Sequence, residues 1–350
     1  MERKSITISD IAKRAGVSKT TVSRYLNGKY EFMSQQTRER ISKEISDTGF
    51  RPNRLANSLK TDCSDLIGVV MSDIMSSQTP NLLGSICDTC TKYGKKVVVV
   101  NSENDPEKEQ QLALDLLDQR VDGLLVISGY NSEFYQGLDR EKLPVVLADR
   151  LSDHVDMDSV VVNHTESTRR VVHYLLKQGY QQIVVLARSH INPNNTPAIR
   201  VAAARAACQD FFGDDSHCIQ VQLSSTCEQQ RGVSFEEVSR VMELYYRQSK
   251  ELPTAIFVSE IAIMSNAVCS FYRAGMQCSP QFTIAGYSNE SLSGMFVPPI
   301  CTIEQPLERM GQLAAERLLY RIKARKAGEE PPVCESSRLS CRVHLNGAEH

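Results

Sequence analysis

Residues 7–26 read TISDIAKRAGVSKTTVSRYL, and their spacing predicts two short helices joined by a tight turn. Thr7 caps the first helix together with Asp10 three positions on, a reciprocal arrangement for backbone N–H groups that have no partner inside the helix. Ile8, Ile11, Ala12 and Ala15 recur at helical intervals and form an inward stripe, which Gly16 closes. Ser18 restarts the chain as an N-cap, and Val22, Tyr25 and Leu26 supply the inward face of the second helix. Its outer face carries Lys19, Thr20, Thr21, Ser23 and Arg24, a short, polar and basic surface. A helix-turn-helix lays such a face in the major groove of DNA, where N-terminal side chains meet base edges while hydroxyls and cations hold phosphates. An ordinary helical hairpin with solvated charges would present the same face, so the surrounding sequence decides.

Outward from this stretch, Ser34 caps a third helix, QQTRERISKEISDTG, with Ile41 and Ile45 inward and Gly49 as its stop. Three small helices make a self-contained all-α headpiece. The run FRPNRLANSLK follows, where Pro52 and Asn53 start one or two further helical turns ending in Leu59. A segment this short is not stable alone and orders only with support. A leucine on it suits a minor-groove wedge that opens a base step. In the loop GKYEFMS before Ser34, Tyr30 and Phe32 either pack on the headpiece or touch the DNA backbone.

With 350 residues the chain is too long for one core and suits a headpiece plus two medium lobes. Its net charge of -2 hides an asymmetry. Up to Thr61, 13 Lys and Arg stand against 6 Asp and Glu; beyond it, 27 stand against 36, so the positive charge sits on the headpiece. The N-terminus lacks an apolar run of signal-peptide length and no later run approaches the roughly 20 apolar residues of a membrane span, which predicts a cytoplasmic, nucleoid-associated protein with no membrane contact. Eleven scattered cysteines, odd in number and mostly inside apolar runs, read as reduced core thiols. Cys87 and Cys90 form a lone CxxC without the further ligands of a metal site, and no metal or other cofactor is expected.

From Asp65 the rhythm is strand, helix, strand. LIGVVMS, KVVVVNS, GLLVISG and PVVLADR are buried-strand runs with helical segments between them. A second round begins at SVVVN and continues through QIVVLAR, CIQVQLS, TAIFVSE and FTIAGYS. This alternation predicts an α/β core of two doubly wound parallel-sheet lobes. A final helix, LERMGQLAAERLLYRIKAR, and one last strand near RLSCRVHL must return to the earlier lobes.

The run TISDIAKRAGVSKTTVSRYLNG, then MSQQTRERI, then GFRPNRLANSL resembles the lac and galactose repressor family throughout its DNA-binding region. The remainder looks like that family's periplasmic-binding-protein-like core, with weaker motifs. The expected domains are a headpiece over 1–51, a hinge helix and linker over 52–63, and a ligand-binding and dimerisation core over 64–350. Within the core, the N-lobe spans about 64–160 plus 303–326 and the C-lobe about 161–290 plus 333–346. The resemblance implies base readout by Lys19, Thr20 and Arg24, a hinge helix that forms on the operator through Asn53, Ala56 and Asn57, and intercalation of Leu59 at the dimer axis. Thr7, Ser18, Thr21, Ser23, Asn27 and Arg54 complete the residues assigned to DNA.

In open α/β sheets ligands bind outside the C-terminal strand ends, and two facing lobes put those ends across one cleft. The effector candidates at strand ends are therefore Ser72, Asp73, Ser128, Asp149 and Arg150 from the first lobe and Arg188, Ser259, Glu260 and Ser288 from the second, with Arg200 added early on the helix after Asn195. Arg200, in AIRVAAA, sits where the family carries an effector-clamping arginine, although Ala203 replaces a glycine often found there. Ser259 and Glu260 stand where the family commonly has Asn-Asp, and Ser288 where it has Asp. Arginine forks match carboxylate or phosphate better than neutral hydroxyls, so Arg150, Arg188 and Arg200 point to a sugar acid rather than a plain sugar. The opposing possibility is that Arg150 pairs with Asp149 or another carboxylate and Arg188 is merely solvated.

An enzyme is not expected. GYSNE lacks the second glycine of a nucleophile elbow, and there is no Walker loop, HExxH or G-x-G-x-x-G after the first strand. A solute receptor would fit the core but not the attached DNA reader. The expected function is a repressor of carbohydrate or sugar-acid catabolic genes, released from a palindromic operator by a small-molecule effector; corepression is the alternative. A homodimer matches a two-fold site, and the ending LNGAEH, with no leucine heptads, predicts no coiled-coil tetramer.

Overall fold

The computed structural model describes residues 6–26, 28–50, 63–76, 78–127, 131–141, 143–149, 157–188, 196–224, 233–288, 292–329, 333–346 and 348–349. Asn27, Asn53, Arg54, Ala56, Asn57, Leu59, Ser128 and Arg150 lie outside them. The chain divides into two compact units, Met1–Ser64 and Asp65–His350.

The first unit holds α1 (Ile8–Ala15), α2 (Lys19–Leu26) and α3 (Gln35–Thr48). The Asp10 backbone N–H donates to the Thr7 hydroxyl and the Thr7 N–H to the Asp10 carboxylate at 2.9 Å, the capping box read from the sequence. Gly16 and Gly49 end α1 and α3 in the left-handed conformation at φ 64° and 61°, where a side chain would be strained. Ile11, Ala12, Ala15, Val22, Ile41 and Phe50 form the core of the unit, with Ile8, Tyr25, Leu26 and Ile45 around it.

The second unit carries two sheets. The first has the order β11-β5-β4-β3-β1-β2, from β1 (Leu66–Met71), β2 (Lys96–Asn101), β3 (Gly123–Ile127), β4 (Val145–Ala148), β5 (Ser159–Val162) and β11 (Ser336–Leu339). The second has the order β13-β12-β10-β9-β8-β6-β7, from β6 (Gln182–Arg188), β7 (Cys218–Leu223), β8 (Thr254–Val258), β9 (Phe282–Ser288), β10 (Cys301–Glu304), β12 (Arg342–Leu345) and β13 (Ala348–Glu349). Pairing is parallel except at β10 with β12 and β12 with β13. Strands buried on both faces explain the unbroken apolar runs. The α-helices described in this unit are α4 (Thr79–Lys92), α5 (Pro106–Asp118), α6 (Ser132–Glu141), α7 (His164–Lys177), α8 (Thr196–Phe212), α9 (Phe235–Gln248), α10 (Ile261–Arg273) and α11 (Leu307–Lys326).

Three expected boundaries are corrected. Ser159–Val162 does not open the second lobe but pairs with β4 and β11 in the first sheet, which moves the lobe boundary to Asn163. Ile303 and Glu304 lie on β10, paired with β9 in the second sheet, so the N-lobe resumes only with α11. The segment RLSCRVHL is two strands: Ser336–Leu339 extends the first sheet beside β5, and Arg342–Leu345 lies antiparallel to β10 in the second. Both halves alternate in the same way, and only the edge that each one meets in space separates them.

α11 returns to the first lobe through a continuous apolar face. Leu307, Met310, Ala314, Ala315, Leu318 and Ile322 pack with Leu82, Ile86 and Cys90 of α4 and with the first sheet. Burial of each large side chain contributes roughly 1.5–3 kcal/mol. The helix is also pinned by charge. Arg321, 5% exposed, donates to Asp158 at 2.6 Å and to Asp139 at 2.8 Å, and Arg317 donates to Asp158 at 2.7 Å. The fully buried Asp158 also accepts the Glu335 backbone N–H at 2.9 Å, tying the approach to β11 to the same point.

Close approach of α11 and α4 depends on Gly311, where an added Cβ would lie 2.6 Å from the Leu82 carbonyl oxygen and 2.1 Å from the Ser85 hydroxyl. Gly311→Ala is therefore expected to destabilise the core by about 1–3 kcal/mol through overpacking. Gly84→Ala on α4, whose Cβ would meet nothing within 4 Å, is expected to stabilise it by about 0.5–1 kcal/mol. Urea denaturation of both variants checks the pair; equal shifts would refute the packing argument.

Candidate functional site

The second helix of the headpiece projects the face read from the sequence. Ser18, Lys19, Thr20 and Arg24 are exposed, and Thr21 and Ser23 are half-buried. Ser18, Thr21 and Thr7 are among the assigned residues already engaged within the headpiece. The Ser18 hydroxyl accepts the Thr21 backbone N–H at 3.1 Å and lies 2.9 Å from the Thr21 hydroxyl, and the Thr7 hydroxyl donates to Asp10 at 2.7 Å. The loop after α2 packs on the headpiece: the Tyr30 ring meets Tyr25 edge-on at 5.7 Å and lies under the Arg38 guanidinium at 4.0 Å.

In the second unit both sheets change direction at a switch point, between β1 and β3 in one and between β6 and β8 in the other. Their C-terminal ends face one cleft of about 310 Å³. Its walls bring together Ser72, Asp73 and Asp149 of the first lobe with Arg188, Arg200 and Glu260 of the second. Ser259 and Ser288 do not line it. The Ser259 hydroxyl is fully buried and donates to the Leu186 carbonyl at 2.8 Å, and Ser288 is enclosed at the end of β9. Sequence reasoning missed Asn104 and the helix starts at Thr79, Thr196 and Ile261. Asn104 follows β2, so extending the strand-end rule to an edge strand would have found it. The first turns of α4, α8 and α10 line the cleft, and their helix dipoles favour negative charge there.

The two arginines differ. Arg188 is held by Glu260: its Nε donates at 2.8 Å and its Nη2 lies 2.5 Å from the same carboxylate. It is partly exposed but not free, because the buried glutamate pairs with it. Arg200 is 3% exposed, donates to the Ser259 carbonyl at 2.6 Å, lies 3.5 Å from Nδ1 of His164 and stacks 3.5 Å from the Tyr287 ring centroid. Its described partners include no carboxylate, and its Nε is buried without a hydrogen-bond partner. Tyr287 is braced in turn by the Thr168 hydroxyl at 3.0 Å, and burial pushes its phenol up to about 12.

His164 opens α7 beside this arginine. Burial first and the Arg200 charge second hold its imidazole well below the ordinary value of 6.5, so it is neutral at pH 7. Below pH 6.5 an unfolded chain binds a proton that the folded core refuses, so this group lowers stability as pH falls through 6.5 and leaves it flat above. His164→Gln is expected to remove that acid-side slope, up to about 1.4 kcal/mol per pH unit. Denaturant unfolding of both proteins across the acid range checks it; parallel curves would refute the assignment.

Among the described residues no helix is long and apolar enough to cross a membrane. Residues 7–53 match the family of bacterial regulatory proteins, lacI family, and residues 172–343 match the periplasmic binding protein-like domain. The chain is 29% identical over 327 residues to the HTH-type transcriptional regulator KdgR of Bacillus subtilis, covering 93% of each. It is 28% identical over 348 residues to the HTH-type transcriptional repressor PurR of Aliivibrio fischeri, covering 96% of this chain and 99% of that protein. In fold it is similar to a lac repressor dimer bound to operator and the anti-inducer ONPF, with a TM-score of 0.78 at 24% identity and coverage of 97% and 98%. The exposed second helix and the two-lobed core thus belong to one architecture, and the chain is a member of the lac and galactose repressor family, a DNA-binding transcriptional regulator and not an enzyme.

Proposed function

We propose that the chain is a repressor, bound as a homodimer to a palindromic operator and released by a small sugar acid that fills the cleft between its lobes. The observation that carries the effector class is Arg200, a buried cation on the cleft wall whose described partners are a carbonyl, an imidazole and a ring face. A carboxylate group there would gain a charge-assisted hydrogen bond and the helix dipoles of α4, α8 and α10, whose first turns line the cleft. Asp73, Asp149 and Asn104 offer acceptors, and one amide, for hydroxyl groups on the other wall. An effector touching both lobes favours one relative setting of them over another, and acts on DNA only through that difference in affinity. Genes for using such a compound are the fitting target, and the cytoplasm the fitting place.

On the DNA side, base contacts fall to Lys19, Thr20 and Arg24, with Ser18, Thr21 and Ser23 beside the backbone. The support for these roles is the exposed polar face of α2. The hinge roles of Asn53, Ala56, Asn57 and Leu59 follow from the family alone.

Fluorescence anisotropy with promoter DNA from around its own gene tests the sign: a sugar acid is expected to release the protein, and tightening would reverse it. Lys19→Ala and Thr20→Ala are expected to relax base preference by about 1–3 kcal/mol for each bidentate hydrogen-bond pair removed, with stability unchanged. An unaltered binding profile in both would count against the readout. Arg200→Met is expected to weaken sugar-acid binding by roughly 1.5–3 kcal/mol in calorimetry, and tight binding of only a matched neutral sugar would sink the effector class.

A further inference from the structure

Phe32 is the unexplained side chain of the headpiece. It is 60% exposed and does not join the apolar cluster built on Ile11, Val22 and Ile41. Its described ring contact is the guanidinium of Arg24, centred 5.1 Å from the ring. Hydrogen bonds and a ring contact hold the turn that presents it. The Lys29 N–H donates to the Arg24 carbonyl at 3.0 Å, Gly28 turns at φ 72°, and Tyr30 to Phe32 form a single 3-10 turn closed by Met33 N–H to Tyr30 carbonyl at 3.1 Å. Tyr30 anchors this turn between Tyr25 of α2 and Arg38 of α3. Two residues on, Phe32 is thereby held against the last turn of α2, at the arginine on its exposed face.

Single exposed apolar side chains are common on protein surfaces, so what distinguishes Phe32 is not its exposure but the ring contact it makes with Arg24 on the exposed face of α2. An arginine side chain normally loses much rotamer freedom on fixing its fork to a base edge or phosphate. A ring against one face of the guanidinium removes part of that freedom beforehand and leaves the N–H edge open to a partner. We propose that Phe32 is a positioning residue that pre-orients Arg24 for DNA, so that the aromatic loop sets how strongly this arginine contributes to recognition. The proposal rests on the reading of α2 as the base-reading helix.

The test is a double-mutant cycle in the full-length chain. A duplex pool with a randomised centre is first enriched with the wild-type protein, and the enriched duplex and a shuffled version are then titrated by anisotropy. Phe32→Ala is expected to weaken binding to the enriched duplex by about 2- to 5-fold, the equivalent of about 0.5–1 kcal/mol for an exposed cation–π contact. Its change in base preference should follow that of Arg24→Ala at the same positions, at smaller size. The cost should vanish in the Arg24→Ala background, and Phe32→Tyr should restore wild-type binding. A cost that persists without Arg24, a Phe32→Leu variant equal to wild type, or an equal loss on the shuffled duplex would overturn the proposal. Failure of the wild-type protein to enrich any duplex would instead overturn the reading of α2 itself.

Discussion

The core depends on three short crossings between its sheets. Asn163 alone separates β5 from α7, Gln305 and Pro306 separate β10 from α11, and Ser340 and Cys341 separate β11 from β12. The first and third are joined directly, since the Asn163 N–H donates to the Leu339 carbonyl at 2.8 Å. Segments this short cannot lengthen, so the lobes can change their relation only by rotation about the crossings, the hinge form of domain motion. That constraint keeps two sets of strand ends opposed and makes a cleft of the space between them.

Polar groups buried around the cleft are arranged so that most are satisfied within one lobe. Glu260 neutralises Arg188, and Ser259 is occupied twice, its hydroxyl with Leu186 and its carbonyl with Arg200. The exceptions cluster at Arg200 and His164, whose Nε2 lies 4.0 Å from Asp149 of the other lobe without a hydrogen-bond partner. Low dielectric makes an incompletely paired buried group costly, and such a group rewards any ligand that completes it. The same logic separates the first lobe's cluster of Asp158, Asp139, Arg317 and Arg321, where each charge meets an opposite one. That cluster holds α11 and the approach to β11 in place, and removal of one partner would strand the others.

The sequence alone determined the local structure. Capping at Thr7 and Ser34, glycine stops at Gly16 and Gly49, and the switch in apolar period at Asp65 each act over a few residues, and their geometry is the same in any fold that contains them. The strand-end rule reached Ser72, Asp73, Asp149, Arg188 and Glu260 because parallel α/β sheets bring those ends to one side, whereas Arg200, on a helix, was reached through the family resemblance. Tertiary structure decided what depends on neighbours remote in the chain. It assigned Ser159–Val162 and the two halves of RLSCRVHL to their sheets, since an alternating strand carries no mark of which edge it will join. It turned Ser259 away from the cleft and paired Arg188 with Glu260, 72 residues on, because charge balance and side-chain direction are settled by packing. It also set Phe32 against Arg24, an approach made by a turn whose anchor, Tyr30, lies between two helices.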